Sequence, residues 1–218
     1  MGRLRPWVAS KDIILELLRR LTVRGGIGKA MEFRGPGVAT LSVPQRGSIA
    51  NLGQELGATC IVFPADEQTR TWLRSQRREK DWKPLTADPG AAYDEAIEID
   101  LSTLEPLIAC PSSPDKVVPV REVEGTPVVQ VCVGSSNNSS YRDLMTVARV
   151  VRGKRIHPGL SLTISPGSRQ VLSTMAKGSG ILDLVAAGAR ILEVSCGPCI
   201  GMGQAPPSGG ASVRTFNR

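Results

Sequence analysis

Between residues 10 and 21 the apolar positions recur at helical spacing: Ile13, Ile14, Leu17, Leu18 and Leu21 fall on one face. With Ser10 as the cap and Asp12 in the first turn, they predict a helix that stops near Gly25-Gly26. Residues 30–43 alternate weakly around Gly35-Pro36-Gly37 and predict short strands joined by a turn. Residues 49–56 suit a helix, 60–63 (CIVF) a short buried strand, and Pro64-Ala65-Asp66 opens another helix. A Pro-, Gly- and Asp-rich stretch at 84–92 reads as loop. Three prolines within 110–119 mark the best boundary between two halves, placing domains at 1–115 and 116–218.

The second half has a stronger rhythm. Residues 128–133 (VVQVCV) form a continuous apolar strand, followed by a polar loop at 134–140 and a helix with Leu144, Val147 and Val151 on one face. Residues 160–165 (LSLTIS) are strand again, and Pro166-Gly167-Ser168 turns the chain into a helix capped by Ser168. Residues 182–187 continue helical before Gly188, and 190–194 (RILEV) make a third strand ending at Cys196. Strand, loop and helix in repetition predict an α/β fold with a mostly parallel sheet. In such sheets ligands bind beyond the carboxyl ends of the strands. The loops at 134–140, 166–168 and 195–203 all leave those ends and should converge on one crevice.

Composition narrows the class. At 218 residues, 41% hydrophobic and 22% charged, this is a globular chain whose core must rest on aliphatics, since aromatics make up only 4%. No apolar run approaches the roughly 18 residues of a membrane span, and residues 1–12 lack a signal peptide's apolar stretch, so a cytoplasmic location is expected. Five unevenly spaced cysteines do not form a disulfide framework and suit a reducing compartment. The +7 charge can attract nucleic acid or an acidic small molecule. Its densest stretch, 70–83 (RTWLRSQRREKDWK), has no accompanying nucleic-acid motif and reads first as a solvated helix face anchored by Trp72 and Trp82. Gly25-Gly26-Ile27-Gly28 follows a helix rather than a strand, so it reads as a helix stop and not a phosphate loop.

The chemistry concentrates in Cys196-Gly197-Pro198-Cys199-Ile200-Gly201 and in Gly134-Ser135-Ser136-Asn137-Asn138-Ser139-Ser140-Tyr141. Two thiols three positions apart can face one metal centre or close one disulfide. A four-ligand zinc site is hard to complete, because there is no second CxxC and the single histidine, His157, lies on a connection leading into a strand. The tetrad CGPC also occurs at thioredoxin active sites, where it opens a helix. Here the following residues carry four glycines and two prolines through Gly210, which excludes a helix. Inert, packed cysteines are the remaining reading.

On these motifs the chain resembles the aconitase superfamily. Gly35-Pro36-Gly37 through Phe63-Pro64, including Ile49 to Thr59, looks like the second domain of aconitases. The 134–141 loop, Pro166-Gly167-Ser168, CGPCIG and the terminal Phe216-Asn217-Arg218 look like the third. The resemblance implies three-layer α/β/α domains and a [4Fe–4S] cluster on three cysteines, with one iron open to substrate. It implies Cys196 and Cys199 as two cluster ligands, Asn51 and Glu55 as catalytic residues near the substrate hydroxyl, and Ser135, Asn217 and Arg218 as substrate contacts. The implied reaction interconverts citrate and isocitrate through cis-aconitate, and the interior of CGPCIG sits closer to aconitases than to isopropylmalate dehydratases.

Two departures qualify that expectation. Ser136 stands where the family places the third cysteine, and a hydroxyl is a poor iron ligand beside a thiolate. Cys132 is no replacement, being roughly 13 Å away along an extended strand. The resemblance also covers only the middle of an aconitase, leaving the first and last domains to another chain. The expectation is a hydro-lyase segment inactive alone, with a cluster-free remnant or polycarboxylate-binding module as the alternative.

Overall fold

Helix α1, Ser10–Leu21, forms where the apolar spacing places it and buries Ile14, Leu15 and Leu18 almost completely. Its cap is Ala9 rather than Ser10: the Asp12 carboxylate accepts from the Ala9 N–H at 2.6 Å and does for the helix start what a serine hydroxyl was expected to do. The other Asp12 oxygen accepts from the Leu107 N–H at 2.9 Å. Burial outweighs these bonds and pushes the Asp12 carboxyl up. The helix ends at Leu21, before the glycines, and Gly26 instead donates to the Leu56 carbonyl.

In a computed structural model, which describes residues 2–216, the chain divides into two units, Met1–Glu122 and Val123–Arg218. In the first, β1 (Ala30–Glu32) pairs parallel with β2 (Cys60–Val62). The second strand expected after Gly35-Pro36-Gly37 is a 3-10 turn, Val38–Thr40. Helix α2 (Val43–Leu52) starts earlier than expected because Ser42 and Gln45 satisfy its first turn, and it passes into a 3-10 turn, Gly53–Leu56. Strand β2 is half exposed rather than buried, since it pairs only with β1. Helix α3 (Glu67–Ser75) begins at Asp66, whose carboxylate accepts from the Gln68 and Thr69 N–H groups. The prolines of 110–119 lie in and beside an antiparallel hairpin of β3 (Leu107–Ala109) and β4 (Val117–Pro119).

The core of this unit joins α1 to α2, with Ile14, Leu18, Ile49 and Leu56 fully buried. Each such side chain stabilises by about 1.5–3 kcal/mol. Arg46 is enclosed beside it, donating to the carbonyls of Val38, Leu41 and Pro64 and to Asp66 at 2.6 Å. Within the tryptophan-flanked basic stretch Arg70 and Arg74 both pair with Glu79, Arg78 pairs with Asp81, and Arg70 lies over the Trp82 ring.

The second unit is a four-stranded parallel sheet in the order β7-β6-β5-β8. Its strands are β5 (Val128–Gly134), β6 (Ser161–Ser165), β7 (Arg190–Ile191) and β8 (Ala211–Arg214). Helices α4 (Tyr141–Val151), α5 (Arg169–Lys177) and α6 (Gly180–Ala187) pack Leu144, Ala148, Met175 and Leu184 onto Val133, Leu162 and Ile164. Ser168 caps α5, accepting from the Val171 N–H at 3.1 Å. Parallel pairing in both units gives the α/β class expected from strand, loop and helix in alternation. Among the described residues no helix is long and apolar enough to cross a membrane.

Candidate functional site

Strands β5, β6 and β7 all run toward one edge of the sheet, and their following loops meet there. Gly134 ends β5 at φ +101°, and a Cβ at this position would stand 1.9 Å from the Ser165 carbonyl oxygen, so only glycine allows the two strand ends this close. Ser135 continues in the left-handed region at φ 64°, with Asn138 at φ 49°. Such conformations cost about 1–2 kcal/mol per non-glycine residue and are sustained by surrounding contacts. Those contacts are present: Ser135 donates its N–H to Ser165 O at 2.8 Å, and Gly167 donates to Ser139 O at 3.1 Å. The Gly134 N–H donates to Thr215 Oγ1 at 2.9 Å.

Cys196 and Cys199 enter from the β7 side. Residues Gly197–Ile200 form a 3-10 turn, which brings the two sulfurs to 3.0 Å. The Ser135 hydroxyl donates to Ser195 O at 3.2 Å and lies 3.2 Å from Cys199 Sγ; the Ser136 hydroxyl is 3.7 Å from the same sulfur. Thus Ser135, Ser136, Cys196 and Cys199 form one cluster, assembled by the strand-end convergence. Cys196 is exposed and Cys199 half-buried. The hydrogen bond to Cys199 keeps the proton on Cys196 and pushes its thiol up. For Cys199, burial acts upward as the largest single influence, but bonds from Ser135, Cys196 and Ser136 together outweigh it and hold the thiol low.

Several residues at this site gave no signal in the sequence. Arg214 on β8 donates to Pro198 O at 3.2 Å, Gln204 O at 3.0 Å and Ser212 Oγ at 3.0 Å, holding the cysteine loop against the sheet. Gln204 is buried, and its Oε1 finds no donor among the described residues; nor does Asn138 Oδ1. Arg214 could have been singled out only by recognising 211–214 as a strand.

The other expected residues lie elsewhere. Asn51 is exposed in the last turn of α2 and Glu55 is half-buried in the 3-10 turn after it, both in the first unit. Asn217 and Arg218 fall outside the described residues. The first unit also holds a cavity of about 820 Å³ walled by Ile13, Leu17, Met31 and Phe33, with the Lys29–Glu95 ion pair among its lining residues.

The donor set decides what the cluster can hold. Two thiols and two hydroxyls converge, and among the described residues no three His, Cys, Asp or Glu side chains come together. A [4Fe–4S] cluster held by three thiolates does not fit this set, because only two thiols come together among these side chains.

Comparison with known proteins gives the family of the chain. The family model "Aconitase family (aconitate hydratase)" matches residues 1–127 and 119–218. A 3-isopropylmalate dehydratase large subunit 2 of Rubrobacter xylanophilus is 40% identical over 201 residues, 92% of this chain and 47% of that protein. The Archaeoglobus fulgidus large subunit 2 is 38% identical over 219 residues, 100% of this chain and 52% of its own length. The Thermotoga maritima large subunit 1 is 38% identical over 203 residues, 92% and 49%. The chain spans about half the length of the curated relatives it matches.

Proposed function

The chain belongs to the aconitase family, and on that premise we propose that it is a segment of a family hydro-lyase whose cluster site has been reduced to two thiols. The convergence of the three strand-end loops on Cys196 and Cys199 carries this reading. It supports chemistry at the carboxyl edge of the sheet, where a hydroxy acid with two or more carboxylates would sit. The Gly134–Tyr141 loop and the cysteine turn form the floor of that site, and Ser135 supplies substrate contact. Asn51 and Glu55 are proposed as catalytic residues and Asn217 and Arg218 as substrate contacts, with the two units corresponding to the second and third domains of aconitases.

For substrate, two readings differ. CGPCIG points to citrate and isocitrate, whereas relatives at 38–40% identity over at least nine-tenths of the chain bear the name of 3-isopropylmalate dehydratase. The relatives favour 3-isopropylmalate, since two hundred aligned residues outweigh the interior of one tetrad. Their designation as large subunits supports a second chain as partner, and activity of this chain is proposed to require it.

Anaerobic reconstitution with iron and sulfide, followed by iron quantitation after gel filtration, tests the reading. The unaltered chain is expected to retain well under one iron per chain, and Ser136→Cys about three to four. A stable four-iron cluster on the unaltered chain would overturn the reduced-site reading. Retention by neither form would sink the assignment of this edge as the family's cluster site.

A further inference from the structure

Cys196 and Cys199 have chemistry open to them that a cluster would preclude. They sit 3.0 Å apart across a one-turn segment whose exits, Gly201 at φ 81° and Gly203 at φ 63°, are glycines. Forming a bond of about 2.05 Å takes a further approach of roughly 1 Å. Cys196 is exposed and reachable by a second molecule, while Cys199 lies behind it against the Ser135 and Ser136 hydroxyls. Arg214 fixes Pro198, between the two cysteines, through its carbonyl. A helix N-terminus, which activates the thioredoxin tetrad, is absent here; two serine hydroxyls stand at the inner sulfur instead.

We infer that this dithiol is a thiol–disulfide exchange site, with low-molecular-weight disulfides as its substrate class. The inference rests on the two-thiol reading of the site given above. Cys196 passes its proton to Cys199 across the 3.0 Å contact, and the resulting Cys196 thiolate attacks one sulfur of the incoming disulfide; that S–S bond breaks, and the departing thiolate takes up the proton from Cys199. Cys196 is then held as a mixed disulfide. The Cys199 thiolate attacks Cys196 Sγ, the mixed disulfide breaks, and the second small thiolate leaves and is protonated. Two cysteine thiols have been oxidised to one disulfide, one external disulfide has been reduced to two thiols, and both protons end on those thiols. The second step is intramolecular, so closure is favoured over simple adduct formation by the effective concentration of the neighbouring sulfur.

The iron-free full chain, reduced and then equilibrated anaerobically across a series of oxidised-to-reduced glutathione ratios, is quenched with a thiol-alkylating reagent and peptide-mapped. Cys60, exposed in the first unit, serves as the internal reference. The expected result is an internal disulfide in the 196–199 peptide, at a ratio at least about tenfold more reducing than glutathionylates Cys60. In Cys199→Ser the reaction stops at a glutathione adduct on Cys196. Alkylation of both Cys196 and Cys199 at every ratio, or an adduct on Cys196 that never closes in the unaltered chain, would overturn the inference. No adduct in Cys199→Ser would overturn Cys196 as the entering thiol. Because this readout uses metal-free protein, failure of exchange leaves the iron result standing, and a stable cluster on the unaltered chain leaves the exchange result standing.

Discussion

Replacing Arg214 with alanine should loosen the cysteine loop without unfolding the sheet. The guanidinium grips the loop at both ends, donating to Pro198 O at 3.2 Å and Gln204 O at 3.0 Å, while Ser212 Oγ at 3.0 Å steadies it from its own strand. A hydrogen bond from a charged donor nets about 1.5–3 kcal/mol. The two loop bonds do not add fully, because water reaches the half-buried carbonyls once the side chain is gone. Local opening of residues 198–204 should therefore become easier by about 2–3 kcal/mol, a factor of roughly 30–150. Native-state hydrogen exchange reads this directly at the amides of Gly201, Met202 and Gln204, which are bonded within the loop to Pro198, Gly197 and Gly201. The amides pairing β5 with β6 are the reference and should keep their protection. Arg214→Lys places one ammonium where two carbonyls need donors and should fall between. A loss of protection below about threefold at all three loop amides would refute the role assigned to Arg214. An equal loss in β5 and β6 would recast it as a general determinant of stability.

Two further predictions concern the first unit. Arg46→Ala removes a buried cation and takes one donor from Asp66 Oδ2 and from each of three carbonyls, so urea denaturation should show a loss of about 3–5 kcal/mol; a loss under 1 kcal/mol would show that water replaces the guanidinium at little cost. Lys11 is pushed down to about 8 from its ordinary 10.5 by burial, which outweighs the opposing attraction of Asp12. The unfolded chain therefore keeps this proton to higher pH than the folded one, and stability should rise between pH 8 and pH 10.5; Lys11→Met should flatten that rise, and an unchanged slope would discount the shift.

What could be read from the sequence was whatever depended on near neighbours. Helix α1 and helix α4 declared themselves because their apolar positions repeat every three or four residues, and α5 because Ser168 lies next to the N–H groups it caps. Strand β5 showed as a continuous apolar run, and β6 as strand in LSLTIS. The misread segments are those decided at a distance. Residues after Gly35-Pro36-Gly37 alternate enough to suggest a second strand, yet β1 finds its partner in β2, thirty residues on, and a 3-10 turn takes the space between. Strand β8 (ASVR) has no apolar run; it exists because it pairs with β5, roughly eighty residues earlier. Missing β8 also meant missing Arg214, whose two bonds to the cysteine loop go to backbone carbonyls that carry no residue signature.

The same division separates the site's position from its chemistry. Its position follows from strand order: three parallel strands deliver three loops to one edge, and the close approach of Gly134 to Ser165 fixes where Ser135 and Ser136 begin. Nothing in that construction depends on whether residue 136 carries oxygen or sulfur. The hydroxyl already stands 3.7 Å from Cys199 Sγ, so a thiol on the same Cβ would complete a three-sulfur set without moving the backbone. On the proposed reading, one atom decides between two chemistries on one scaffold. With oxygen at 136 the two sulfurs have no thiolate partner except each other and favour disulfide exchange; with sulfur they gain the third ligand that iron needs. Ser136→Cys should accordingly raise iron retention and suppress closure of the 196–199 disulfide together in the reconstituted protein. A variant that gained iron while closing its disulfide as readily would show that the two processes use different conformations of the loop.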